Sequence, residues 1–597
     1  MHFSRRLQTS AIALAATIAS FGALAPAAGA VGSSRISDPF FHYTDTKPLD
    51  QIAPGTVLKT RTVQFHLFQV PMPVEATQLL YRSRNVNGKP TVNVTSVIRP
   101  GIFNLATPNP SKVIAYGSFY DSLDPRDQPS LAIAGQSNST LGGALSNVES
   151  LAFTLNLLGK GYTVVVTDTE GQEADFAAGP VYGYNTLDGL RAALNSPQAG
   201  VPSNAKIGLM GYSGGAIATE WAAELAPTYA PEINSRLVGA AMGGVLVNPF
   251  RNLTYVDGSQ IWAGVMGMAL IGISRAFEVD LLPYASDYGK DLFSRFQHAS
   301  ITDALLQFPG LRFSDLTKPG YQRPKDFGLL VRTANRLIMG TGGTPTVPLL
   351  MYQGAGGEAE GTYGGRPDVG AGDGVMVAGD VRTLARQYCE KGVPVIHKEF
   401  PDLSHVGSAG QWMPDADAWL TERFAGKPAP QNCADIKPGN SLAPVADPDA
   451  PPAPEPPVPP VPVPDNSTGN NSGQSSGGSS SGSNPAPTVT TPTSAPSKTR
   501  AVISLIRVRG RTVQIKVRCE GTIGRCRMTA TGSAGGSTVL RKLTISLSAG
   551  STRTFTARLS SRGRRTLSKR SSMAIRVSTV QGTTRSSKTV TMRRPAS

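Results

Sequence analysis

Lys206-Ile-Gly-Leu-Met-Gly-Tyr-Ser-Gly-Gly-Ala-Ile-Ala-Thr-Glu-Trp-Ala-Ala-Glu-Leu-Ala226 is a short apolar run, a glycine-flanked serine and an alanine-rich helical pattern in immediate succession. The first part reads as a buried strand and the last as a helix. Between them, Gly211-Tyr212-Ser213-Gly214-Gly215 has the G-x-S-x-G form of a sharp strand-to-helix turn. Such a turn presents a serine hydroxyl and aims the next backbone N–H, that of Gly214, at a developing oxyanion. The pentapeptide alone is weak, because GQSSG at 473–477 and GSSSG at 478–482 also match it. Those two lie in a Gly/Ser tract with no strand or helix pattern around them, so Ser213 alone has the context of a nucleophile.

Outward from this turn, VIAYGS (113–118), YTVVVTD (162–168), LVGAAMGG (237–244), VPLLMYQG (347–354) and VPVIHKEF (393–400) also read as strands. Amphipathic helices between them include Thr186 to Leu194 and Asp380 to Tyr388. Alternating strands and helices predict an α/β fold with a mostly parallel sheet and its chemistry at the carboxyl ends of the strands.

A serine nucleophile needs a general base, and the chain has 6 histidines. His2 falls in the leader, His42 and His66 are expected to precede the sheet, His298 lies in a helix-rich insertion and His397 is inside a strand. His405 remains, in the loop PDLSHVGS after the last strand, in the chain order serine, acid, histidine. The acid is expected after VPLLMYQG, where Glu358, Glu360, Asp368 and Asp373 all qualify. Asp373 leads, because it stands where the loop returns to the sheet ahead of the next helix. No helix-spaced histidine pair or Cys/His cluster suits a metal, and no dinucleotide or phosphate loop follows a strand, so no cofactor is expected.

Several linked motifs in order resemble the secretory (fungal lipase A-like) lipase family of α/β-hydrolases. They are LYRSRNVNGKP (80–90), AYGSFYDSLDPRDQPS (115–130), GYTVVVTDTEGQEADFAAG (161–179), NTLDGLRAAL (185–194), GYSGG (211–215), and the ending YCEKGVPVIHKEFPDLSHVGSAGQWMPDADAWLTERFAGKP (388–428) with Cys433. The resemblance covers most of residues 45–433. It implies hydrolysis of lipid esters, a second oxyanion donor at Asp121 beside the amide of Gly214, a disulfide between Cys389 and Cys433, and a lid with an acyl tunnel. The family's short Q-G-x-x-D-x-x-x-P is replaced here by the longer YQGAGGEAEGTYGGRPDVGAGDGVMV (352–377), without the proline after the acid, so spacing does not carry the acid over to one position. The lid is expected over about 245–345, where IWAGVMGMALIGI (261–273) is too short to span a bilayer and reads as a core helix or part of a mobile cap.

The rest of the 597 residues divides by composition. Residues 1–30, with His2, Arg5 and Arg6, an apolar stretch from Ala11 to Leu24 and Ala28-Gly29-Ala30, read as a cleaved export signal, shorter in its apolar part than a membrane anchor. Export allows oxidised cysteines. Of the three possible pairings of four, locality favours Cys389 with Cys433 and Cys519 with Cys526. Residues 31–436 form the expected hydrolase domain, and 437–500, with 16 prolines and no aromatic residue, form a linker. Residues 501–597 carry 21 Lys or Arg against the single acid Glu520; this segment is therefore +20, and the other 500 residues sum to −4 within the overall +16.

Alternating runs such as TVQIKVRC (512–519) predict a small Ig-like β-sandwich there, similar to basic two-cysteine modules of secreted actinobacterial proteins. Phe555 is its one aromatic residue, which leaves no stacking platform for nucleic acid or sugar; an anionic cell envelope or lipid surface is the expected partner. The function expected is that of a secreted serine lipase. Its rivals are an esterase for short-chain or envelope acyl esters and an envelope-binding protein whose hydrolase domain is inert.

Overall fold

The computed structural model describes residues 36–450 apart from 69, 102–108, 138–144, 147 and 367. Within 500–593 it describes all but 510–511, 521–524, 535–536, 541–542, 549–550, 562–564, 567–571 and 582–583. The expected signal and residues 451–499 of the expected linker lie outside the described residues. The chain divides into two units, residues 1–458 and 459–597.

The first unit is built on nine strands in the order β1-β2-β3-β5-β4-β6-β7-β8-β9. β1 (Val57–Leu67), β2 (Val70–Arg84) and β3 (Pro90–Ile98) form an antiparallel meander that joins β5 (Thr163–Thr167) edge to edge. From β5 onward, β4 (Lys112–Gly117), β6 (Lys206–Tyr212), β7 (Leu237–Gly243), β8 (Leu349–Gly354) and β9 (Val395–Phe400) are all parallel. The six expected strands are these six. The sheet begins earlier than expected, so His66 does not precede it: it sits in β1. The N-terminal strands escape an apolar-run reading because their buried positions include polar residues. Gln78 is fully buried and donates to Ser96 Oγ at 3.1 Å and Ser130 O at 2.6 Å; paired groups of this kind are tolerated in a core.

Period-2 alternation decides which layer each strand residue meets. Val165 of β5 joins the layer of helices Gly179–Asn195 and Gly214–Tyr229, whereas Val164 and Val166 face the layer of helix His405–Phe424, with Trp412, Trp419 and Phe424. Helix Gly179–Asn195 begins seven residues before its expected start, because Gly179 and Gly183 let it approach Trp221 of the neighbouring helix; a Cβ on Gly179 would fall 2.0 Å from the Trp221 indole nitrogen.

Between β7 and β8 the chain makes the expected helical insertion, including Pro249–Val256, Val265–Phe277, Asp287–Phe296 and Gly328–Asn335. Residues 436–449, counted above with the linker from 437 onward, pack on this unit. Ile436 and Leu442 are buried, Asn440 donates to Asp380 at 2.8 Å, and Arg332 pairs with Asp447 at 2.8 Å. Cys389 is bonded to Cys433.

The described residues of the second unit form two antiparallel sheets. One is β10 (Arg500–Arg509), β11 (Thr512–Glu520) and β15 (Thr552–Arg558); the other has β12 (Arg525–Ala534) between β16 (Ser572–Gln581) and the strands β13 (Ser537–Thr538) and β14 (Leu543–Ser548), with β17 (Thr584–Arg593) beyond β16. Val513, Ile515, Val517 and Cys519, alternate residues of β11, share one buried cluster with Leu547 and Ile575, while Arg518 is exposed. Cys519 is bonded to Cys526.

Candidate active site

Gly117 of β4 stands opposite Gly211 of β6, so the carboxyl ends of the two central strands are level. Beyond them the chain must turn sharply. A Cβ on Gly211 would meet Gly215 O at 2.1 Å, and one on Gly215 would meet Gly117 O at 2.0 Å, so two of the motif's glycines are required by backbone contact. At the apex Ser213 has φ 55° and ψ −121°, a left-handed conformation rare for a residue with a Cβ, and it is followed at once by helix Gly214–Tyr229. Gly214, at the first helical position, has an amide with no intrahelical acceptor.

His405 opens helix His405–Phe424 after β9, and its ring spans two partners: Nε2 lies 2.8 Å from Ser213 Oγ and Nδ1 lies 2.7 Å from Asp373 Oδ2. The three residues that the sequence placed after three different strands are in one chain of hydrogen bonds. Asp373 is fully buried; its Oδ1 accepts from the amides of Val375 and Met376 at 3.0 and 2.8 Å, and its Oδ2 also accepts from Gln353 Nε2 at 2.8 Å. Of the other acids considered, Glu358 and Asp368 are exposed, and Glu360 is buried but turned to Trp262 Nε1 (2.7 Å) and the Val406 amide (3.0 Å). Burial works to lower the pKa of His405, but the carboxylates of Asp373, Glu360 and Asp121 outweigh it and raise it above the ordinary histidine value.

Asp121 lies beside Ser213 across the elbow: a Cβ on Gly214 would fall 1.9 Å from its Oδ1, an atom that is buried without a hydrogen-bond partner. Burial pushes this carboxyl up to about 7, against the pull of His405. Its loop is held by two more buried acids. Glu149 accepts from Tyr116 OH, Ser118 Oγ and the Phe119 amide at 3.0, 2.5 and 2.7 Å, and Glu170 accepts from the Ser122 amide at 3.3 Å and Tyr182 OH at 3.0 Å.

Sequence reasoning missed the supports of the triad. Tyr212 OH donates to His405 O at 2.6 Å, and Gln353 joins Asp373 to the start of the insertion by accepting from the Val245 amide at 3.0 Å. Their one signal is a polar group at the carboxyl end of a buried strand.

Ser213 opens into an apolar cavity whose walls include Ile217, Trp262, Met266, Ala269 and Ile273. Helix Val265–Phe277 is therefore both a buried helix and a wall of the site. Among the described residues no group of three or more His, Cys, Asp or Glu side chains is placed to hold a metal ion. Nor is any helix among them long and apolar enough to cross a membrane.

A mixed sheet with the serine at a strand-to-helix turn and the histidine after the last strand defines an α/β-hydrolase. The solved closed structure of Candida antarctica lipase A shares this fold, with a TM-score of 0.56 and 24% identity over 69% of this chain and 91% of that one. The secretory lipase family model matches residues 136–362. Lipase 4 of Candida albicans is 30% identical over 67% of this chain and 84% of its own length. A protein of Mycobacterium tuberculosis named a probable inactive lipase is 30% identical over 66% and 82%. The chain belongs to the secretory lipase family.

Proposed function

We propose that this protein is an exported serine lipase that hydrolyses the carboxylic esters of lipids, with triacylglycerols as its main substrates. The observation that carries the reading is the continuous contact from Asp373 through His405 to Ser213 at the mouth of an apolar cavity. His405 Nε2 takes the proton of Ser213 Oγ as that oxygen attacks the ester carbonyl. The tetrahedral oxyanion is held by the amide of Gly214 and by Asp121, whose carboxyl, neutral below about pH 7, donates through a proton. The intermediate collapses, the imidazolium gives its proton to the departing alcohol, and an acyl-serine remains. Water, deprotonated by His405, then attacks the acyl carbonyl; the fatty acid leaves and Ser213 regains its proton. Asp373 stays ionised throughout and keeps Nδ1 the protonated nitrogen.

Turnover of emulsified long-chain triacylglycerol by the full chain, against soluble short-chain esters, tests the substrate class. Faster release from the emulsion, lost in Ser213→Ala, is the expected result. A preference for the soluble esters replaces the lipase reading with the esterase one. The relative named a probable inactive lipase bears on one rival, the envelope-binding protein, only through the inert site that rival requires; an inert site predicts no hydrolysis of either class.

The +20 charge of residues 501–597 supports a second role for the basic unit, attachment to an anionic envelope or lipid surface. Release of the protein from cells by a high-salt wash is expected; retention contradicts an electrostatic tether.

A further inference from the structure

Glu360 lies in the loop between β8 and Asp373, and the triad does not use it. It is 8% exposed, and each of its carboxylate oxygens is committed. Oε2 accepts from Trp262 Nε1 at 2.7 Å, and Oε1 accepts from the Val406 amide at 3.0 Å. Trp262 belongs to the helical insertion: it walls the cavity and sets its ring edge-on to the His405 imidazole, 5.3 Å away at 82°. Val406 is the second residue of the helix that His405 begins.

That helix start is closed amide by amide. His405 N–H donates to Asp373 O at 2.7 Å, Val406 N–H to Glu360, Gly407 N–H to Ser404 Oγ at 3.3 Å and Ser408 N–H to Ser404 O at 2.9 Å. An anionic side chain is favoured at this end of a helix. One carboxylate thus joins the insertion to the start of the helix that carries His405.

We propose that Glu360 is a positioning residue that ties the wall of the acyl cavity to the imidazole of His405, so that the insertion's placement sets the histidine's reach toward Ser213. The proposal rests on the reading of Ser213, His405 and Asp373 as the reacting groups. Glu360 also acts as a second anion on His405 besides Asp373, with the carboxyl of Asp121 and the hydroxyls of Tyr212 and Tyr255 in the same surroundings. Removing its charge therefore shifts the protonation of His405 as well as its position.

The test uses the full chain carrying ¹³C-labelled histidine, with the His405 signal assigned by its loss in His405→Ala. In Glu360→Gln, which keeps the shape and removes the charge, the His405 pKa is expected to fall by roughly half a unit to one unit. The acid limb of the kcat/KM profile moves down in pH with it. An unmoved His405 titration overturns the proposal, and it does so even if no ester is hydrolysed, so this failure is distinct from failure of the lipase reading.

Trp262→Phe keeps an aromatic ring at the cavity wall but removes the indole N–H together with the pyrrole half of the ring system. It is expected to lower kcat by about ten-fold with KM little changed, and the double variant with Glu360→Gln to fall no further than Glu360→Gln alone. Unchanged kcat in Trp262→Phe, or additive losses in the double variant, means that the tryptophan only lines the cavity and overturns the coupling. Should Glu360→Gln not fold, Glu360→Asp, which keeps the charge and shortens the reach, takes its place, and an unchanged kcat in that variant overturns the coupling.

Discussion

The turn at 211–215 and the loop at 355–376 each deliver one member of the Ser213–His405–Asp373 chain, by opposite means. The turn is fixed by backbone: strand β6 ends, glycines at 211 and 215 allow contacts that any Cβ would block, and the helix starts at the next residue. The loop is fixed by polar side chains that come from far along the sequence. Gln353 and the amides of Val375 and Met376 hold Asp373, and Trp262 and Val406 hold Glu360. A turn set by its own residues can be read from five letters. A loop set by remote partners offers four acids, among which Asp373 leads only by standing where the loop returns to the sheet, until the partners are seen.

The largest effect that sharpens this contrast is expected at the turn. In Gly215→Ala the new methyl meets the Gly117 carbonyl, a backbone atom that cannot step aside, and the loss should be about 4 kcal/mol or more. Thermal unfolding followed by circular dichroism reads it; a melting temperature near that of the parent would mean the turn is not set by close approach.

In the loop, chemistry should suffer before stability. Asp373→Asn is expected to lower kcat on a soluble ester by on the order of 10⁴, with the fold retained. If Glu360→Gln were instead the variant with that loss, the acid would have been misassigned. Gln353→Leu removes one donor to Asp373 and one acceptor for the Val245 amide; kcat should fall roughly ten-fold, the equivalent of one hydrogen bond. Steady-state kinetics with an unchanged melting temperature would separate this from unfolding.

The smallest expected effect is on stability against pH. Burial raises the carboxyls of Asp121 and Asp168 to about 7 and those of Glu149 and Asp175 to about 8. These folded-state values lie above the unfolded ones near 4, so between about pH 4 and pH 8 these four carboxyls bind more protons in the folded chain than in the unfolded one. Stability from these groups is complete below the unfolded values and is lost as pH rises through the folded ones. Calorimetry should give a melting temperature a few degrees higher at about pH 5 than at about pH 8.5. The reverse order would show that these acids are solvated or paired with cations.

The same division explains what the sequence alone revealed. The six strands from β4 to β9, the serine and the histidine were all legible, because buried parallel strands are apolar runs and because the scarce histidines left one after the last strand. β1 to β3 were not legible, since Gln78, Asn93, Thr95 and Ser96 are buried there with no apolar run to announce them. Nor were Tyr212, Gln353 or the role of Glu360, each of which acts through a partner 20 to 193 residues away. The start of helix Gly179–Asn195 was not legible either, because Gly179 and Gly183 there serve close packing against Trp221 of another helix.

The most direct test of the central claim, that Ser213 is a nucleophile activated by His405, is covalent labelling of the folded full chain with a fluorophosphonate, followed by mass spectrometry of its peptides. The account predicts one modified residue, Ser213, and labelling slowed by on the order of 10³ or more in His405→Ala. A folded chain left unmodified, or one labelled equally fast without the imidazole, would contradict it.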